Sequence, residues 1–152
     1  MIAGAFDPRQ GGAAAPGYRE RMLARNRWFI AAALFYALAG GLLGLVWLAD
    51  PSRVPGNALR AHAHLMLVGF VGMMIFGVAL HVLPRFAGHA LFSERLADAQ
   101  FALVNAGLIS MVAGWLGGAR AAVSAGGALL WLGFALFALN VVFTVRPWAG
   151  RG

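Results

Sequence analysis

Four runs without a single Arg, Asp or Glu, at residues 28–48, 61–83, 99–119 and 121–145, occupy most of a 152-residue chain. Each is near or above the ~20 residues that an α-helix needs to cross ~30 Å of hydrocarbon. The expected fold class is an all-α integral membrane protein whose four transmembrane helices, at about 28–48, 58–83, 97–118 and 121–145, form one arc or bundle. Composition agrees: 61% of residues are hydrophobic and 11% charged, well outside the range of soluble domains. Asp50-Pro51, Pro55-Gly56, Pro84-Arg85 and Gly117-Gly118-Ala119-Arg120 supply stop signals between the runs. The last connection is so short that the third and fourth helices must be antiparallel neighbours.

The charges give an orientation. All twelve cationic residues are arginine, against five acids. Arg9, Arg19, Arg21, Arg25, Arg27, Arg85, Arg95, Arg146 and Arg151 fall on the side of the termini, and Arg53, Arg60 and Arg120 on the other. The positive-inside rule then expects a multi-pass protein of a bacterial-type inner (plasma) membrane with both termini cytoplasmic. Trp28, Trp47, Trp115 and Trp148 stand at run ends, where indole favours the headgroup region. Arginines at segment edges form no face, so the net charge of +7 points to topology and membrane lipid, not to nucleic acid. Residues 1–27 read as a flexible basic cytoplasmic N-terminal tail, 28–146 as the membrane domain and 147–152 as a cytoplasmic C-terminal tail. The first apolar run, Trp28 to Leu48, is long enough to span and is not expected to be a signal peptide.

No cysteine is present, which excludes disulfides, thiolate metal sites and thiol nucleophiles. Histidine is the remaining chemistry. Three of the four histidines lie on the second helix, and ionisable groups in hydrocarbon are functional candidates because hiding them is costly. His62 and His64 are two residues apart, so at ~100° per residue they point ~200° from each other, with a rise of ~3 Å. One metal is rarely chelated by such a pair; two sites flanking one helix fit better. His81 is ~25 Å further along a straight helix and shares no ligand with His64. His81 and His89 read as interfacial groups beside Arg85.

Residues 61–88 resemble the tenth transmembrane helix of heme-copper oxidase subunit I, in the superfamily of cytochrome c oxidases and nitric oxide reductases. The shared pattern is Ala61-His62-x-His64, an apolar glycine-containing run, then His81, Pro84, Phe86 and Gly88 without a gap. The resemblance covers less than a fifth of the chain. It implies that His62 ligates a high-spin and His64 a low-spin heme, on opposite sides of the helix and toward the outer surface. The implied cofactor is heme b, protoporphyrin IX iron, and the implied roles are electron transfer or binding of diatomic gases such as NO and O2, with respiratory electron carriers as partners. The rest of the family pattern is missing: this chain has no histidine elsewhere to build the copper site, so copper is not expected and a complete oxidase or reductase site is not expected in one copy.

The family subunit resembles three arcs of four helices about a pseudo-threefold axis, and this chain is one arc long. A homotrimer with hemes between copies follows as an expectation, beside a twofold dimer, the commonest assembly. Arg60 is the favoured partner for heme propionates, with Arg53 and Arg120 on the same side. Met66 is a candidate sixth ligand. Phe70, Phe76, Met73 and Met74 are candidates to line a porphyrin, while Gly40, Gly41, Gly44, Gly69, Gly72 and Gly77 permit close helix contacts. Asn105 and Asn140 are expected in interhelical hydrogen bonds, and Tyr36 as a hydrogen-bonded packing residue. A membrane partner that assists assembly or handles heme or metal for a respiratory complex stays open as the alternative function.

Overall fold

The structure is a computed structural model and describes residues 18–54, 56–88 and 90–145. Residues 1–17 of the expected N-terminal tail, Pro55, His89, Arg146 and the whole expected C-terminal tail with Trp148 lie outside the described residues. Four helices account for nearly all the rest: α1 (Tyr18–Ala49), α2 (Ala58–Ala87), α3 (Glu94–Gly117) and α4 (Arg120–Val145). All four are long and apolar enough to cross a membrane, the stretch of α1 that qualifies being Ala24–Ala49. No strand occurs among the described residues. The chain is a four-helix candidate multi-pass membrane protein. Large apolar side chains stand exposed along α1 at Leu34, Leu38, Leu42 and Leu45, a spacing that keeps them on one side, and such a stripe is stable only when lipid or protein covers it.

Successive helices run in opposite directions, which gives the bundle two ends. Where α1 begins, α2 ends, α3 begins and α4 ends, Arg25 of α1 reaches the carboxylates of Asp98 at 2.6 Å and Glu94 at 3.4 Å. At this same end Asn140 of α4 bonds to Ser93 just before α3. At the opposite end the Asn57 N–H donates to Trp115 O at 3.1 Å, tying the start of α2 to the end of α3. The α3–α4 turn is two residues, Gly118 and Ala119. Gly118 takes a left-handed φ of 73° that caps α3, a conformation few other residues adopt cheaply.

Glycine sets how closely this hairpin packs. A Cβ on Gly107 would stand 2.8 Å from Gly126 O, and a Cβ on Gly126 would stand 2.6 Å from Gly107 O, so the two backbones touch. Between α1 and α2 the same device operates at Gly69, where a Cβ would lie 2.7 Å from Tyr36. Tyr36 passes over that glycine and donates to Asn105 Oδ1 of α3 at 2.7 Å. Leu65, Met73, Phe76 and Leu80 of α2 join Phe29 and Tyr36 of α1 and Val104 and Leu108 of α3 in one buried cluster.

Two helix bounds and one stretch of winding differ most from those read off the sequence. Helix α1 begins at Tyr18, ten residues before Trp28, because nothing between them breaks a helix and charged residues are good helix formers once outside hydrocarbon. Helix α2 runs past Pro84 to Ala87 and is capped by Gly88 with φ 70°. Pro84 has no N–H to offer Leu80 O, so the helix lacks one bond there and ends within a turn. Most consequential is Leu65–Gly72, wound as a π-helix in the middle of α2. Its wider turn changes the angular phase of every later residue, so the 3.6-residue period does not relate His64 to His81.

Candidate functional site

The first turns of α2, Ala58–His64, carry both histidines and are regular α-helix. Regular winding sends the two rings toward different neighbours. His62 lies against α1, where its ring packs over Gly44 so tightly that a Cβ there would stand 2.8 Å from two ring atoms. Its Nδ1 is 2.8 Å from Gly40 O. His64 lies against α3, its ring centroid 4.5 Å from that of the Trp115 indole. Its Nδ1 is 3.0 Å from Arg60 O, one turn back in the same helix.

A backbone carbonyl only accepts, so both Nδ1 atoms carry the proton in the neutral rings. Both Nε2 atoms then present a lone pair. This is the tautomer that metal-ligating histidines adopt when a carbonyl holds the other nitrogen, orienting the ring and raising its basicity. Both histidines are half-buried.

Beside Trp115 a groove of about 360 Å³ is lined by Asn57, Arg60, Arg120 and Ser124. Arg60 and Arg120 thus come together, and among the described residues neither has a carboxylate partner. Arg53 is placed otherwise. It folds back on Asp50 at 3.0 Å in the turn after α1 and does not line the groove. Ser52 donates to the same Asp50 carboxylate through its hydroxyl and its backbone N–H, and these bonds with that of Arg53 hold the acid below the usual carboxylate range.

Met66 is one turn beyond His62 and faces the same way, with its Sδ over Gly40, where a Cβ would be 2.9 Å from it. It therefore neighbours His62 and does not line the groove beside Trp115. Met73 and Phe76 are buried in the common core, and Phe70 and Met74 pack against that core. Gly41 has open space where a side chain would stand, whereas Gly40 and Gly44 form the cradle for Met66 and His62.

His81 belongs to the other end of α2, where its Nδ1 is buried without a protein partner. Asn105 accepts from Tyr36, and its amide nitrogen donates to Phe101 O at 2.7 Å. Asn140 donates to Ser93 O and accepts from Ser93 N. Among the described residues no three His, Asp or Glu side chains gather around a point where one metal ion would sit. The sequence reading overlooked the partnership of His64 with Trp115. Its signal was that α2 starts at the level where α3 ends, which places Trp115 opposite the H-x-H pair.

No protein-family model, curated protein or solved structure matches this chain.

Proposed function

We propose that the chain is a membrane-embedded b-type heme protein in which His64, with His62 on the other side of α2, supplies axial nitrogen to heme iron. The observation that carries this reading is the pair of carbonyl-held Nδ1 atoms, which leaves both Nε2 lone pairs available at half-buried positions. Arg60 and Arg120 support it by lining one groove with Trp115, the residue whose indole the His64 ring packs against, and carboxylates of a porphyrin would find two cations there.

Because the rings leave α2 toward different helices, one chain does not hold both sides of one iron with this pair. A neighbouring copy is the natural source of the second ligand, in a trimer or a dimer, and Met66 serves only a heme on the His62 side. When bound, heme supplies a one-electron iron couple or, with a vacant axial position, a site for NO or O2. The protein's part is to orient the imidazoles, anchor the propionates and exclude water. In the orientation that the arginines favour, this site lies toward the outer surface and respiratory electron carriers meet it there.

The test is the optical spectrum of the detergent-purified protein, oxidised, dithionite-reduced and then exposed to carbon monoxide, with a pyridine hemochromogen assay and the mass of the oligomer. Heme present in the parent and lost in intact His64→Ala is the expected result. A colourless parent, or a doubly substituted His62→Ala/His64→Ala protein that retains heme fully, overturns the reading.

A further inference from the structure

At the end of the bundle opposite the H-x-H pair, three polar atoms on two helices have no hydrogen-bond partner in the protein although all are shielded from solvent: Arg25 Nη1, Asn26 Oδ1 and His81 Nδ1. All three residues line one pocket of about 10 Å³, walled otherwise by Phe29, Leu80 and Leu91. A single water needs about 10–15 Å³ measured this way and two to four polar partners, so size and lining agree. Each such group has given up its solvation with nothing in return, so three at one pocket favour an occupant that pairs them all.

We infer that this pocket is a binding site for one ordered water that joins α1 to α2. The hydrogen-bond count closes. Arg25 Nη1 donates to the water oxygen, and the water donates its two hydrogens to Asn26 Oδ1 and His81 Nδ1. Every orphan is satisfied, and the assignment fixes His81 as the Nε2–H tautomer, opposite to that of His62 and His64.

Two features show that the site is built. Arg25 spends its other nitrogens on α3, with Nε 2.6 Å from Asp98 Oδ1 and Nη2 3.2 Å from Asp98 Oδ2, which leaves Nη1 turned toward the pocket. The water therefore extends an ion pair between α1 and α3 into a three-helix joint. Gly77 supplies the room: a Cβ there would stand 3.0 Å from Asn26 Oδ1 and 2.9 Å from Phe29 Cβ. None of this depends on heme, and the site would stand if the heme reading fell.

The experiment is solid-state NMR on the full chain in lipid bilayers, reading the ring ¹⁵N shifts of His81 and the transfer of magnetisation from water to His81 and Asn26. The expected result is an unprotonated, hydrogen-bonded Nδ1 with water transfer to both residues. A protonated Nδ1, or no transfer to either residue, overturns the proposal. In Asn26→Leu and Gly77→Ala the transfer to His81 should be lost while Tyr36 and Asn105 keep their parental shifts. Two variants are used because Gly77→Ala also crowds Phe29. Retention of the transfer in both would place the water elsewhere and overturn the site.

Discussion

The imidazole of His62 rests on the bare Cα of Gly44 while its Nδ1 is held by Gly40 O, so the ring is fixed from two sides by one face of α1. The sequence says only that Gly40 and Gly44 permit close helix contacts; the structure makes them a seat for a specific side chain.

Gly44→Ala puts a methyl 2.8 Å from Cε1 and Nδ1 of that ring, which has no freedom to yield without losing its bond to Gly40 O. Overpacking of this kind costs about 1–3 kcal/mol. The expected outcome is a lower thermal midpoint in detergent, together with a fall in bound heme if His62 ligates. Gly41→Ala is the control, since nothing lies within 4 Å of its Cβ position. Equal melting of the two variants would show that α1 does not hold His62.

Asn140 grips the backbone of Ser93 with both ends of its amide, accepting at 3.0 Å and donating at 2.9 Å, and this fixes the turn that leads into α3. Thr144 adds a bond from Phe92 N at 3.0 Å. Asn140→Leu leaves Ser93 N without an acceptor and Ser93 O with only the 3.4 Å bond from Ala97 N, while Thr144→Val leaves Phe92 N without an acceptor and removes the hydroxyl bond to Asn140 O at 2.6 Å, so each should cost roughly 1–3 kcal/mol, in a ratio near one. Unfolding titrations of the two variants read the ratio directly. An Asn140→Leu protein as stable as the parent would mean that the amide clamp is not what holds the turn.

Much of the fold was legible because membrane crossing imposes a length that composition reveals. Charge-free runs marked all four helices, and Gly117-Gly118 marked the hairpin turn. The glycine seam at Gly107 and Gly126 was not legible, since any glycine in a membrane helix packs closely somewhere and only coordinates say against what. The π-helical stretch Leu65–Gly72 was hidden for a related reason: an unbroken apolar run carries no periodic signal from which a change of winding could be read. At the site, the opposed directions of His62 and His64 followed from a two-residue spacing in regular helix. Their tautomers did not, because these depend on which carbonyl each ring meets. His81 reads from the sequence as an interfacial group beside Arg85, but the pocket its buried Nδ1 shares with Arg25 and Asn26 was not legible, because those residues are 55 or more positions away and no spacing rule connects them to it.

Gln100 is fully buried, and neither its Oε1 nor its Nε2 has a hydrogen-bond partner among the described residues. An amide in that state contributes packing and loses its solvation. Gln100→Leu keeps most of the volume and removes both unpaired atoms, so it should stabilise the bundle by about 1–2 kcal/mol. The measurement is the unfolding midpoint of the variant beside the parent in one detergent. A decrease of similar size would show that the amide engages a partner in the assembled protein, and would direct the search to a second copy of the chain.

The turn after α1 should respond to acid. Asp50 accepts from Ser52 Oγ at 2.6 Å, from Ser52 N at 3.1 Å and from Arg53 Nε at 3.0 Å, and these bonds favour its charged form, chiefly those of Ser52. A carboxyl whose folded pKa is lowered contributes stability that is complete above its unfolded value of about 4 and is lost as pH falls through the folded value. The turn is therefore intact at neutral pH and loosens only in acid below the ordinary carboxylate range. NMR titration of the Asp50 carboxyl carbon should give a midpoint below that value, and Ser52→Ala should move the midpoint upward by removing the hydroxyl bond. An unchanged midpoint in Ser52→Ala would show that the backbone N–H and Arg53 alone set the acidity.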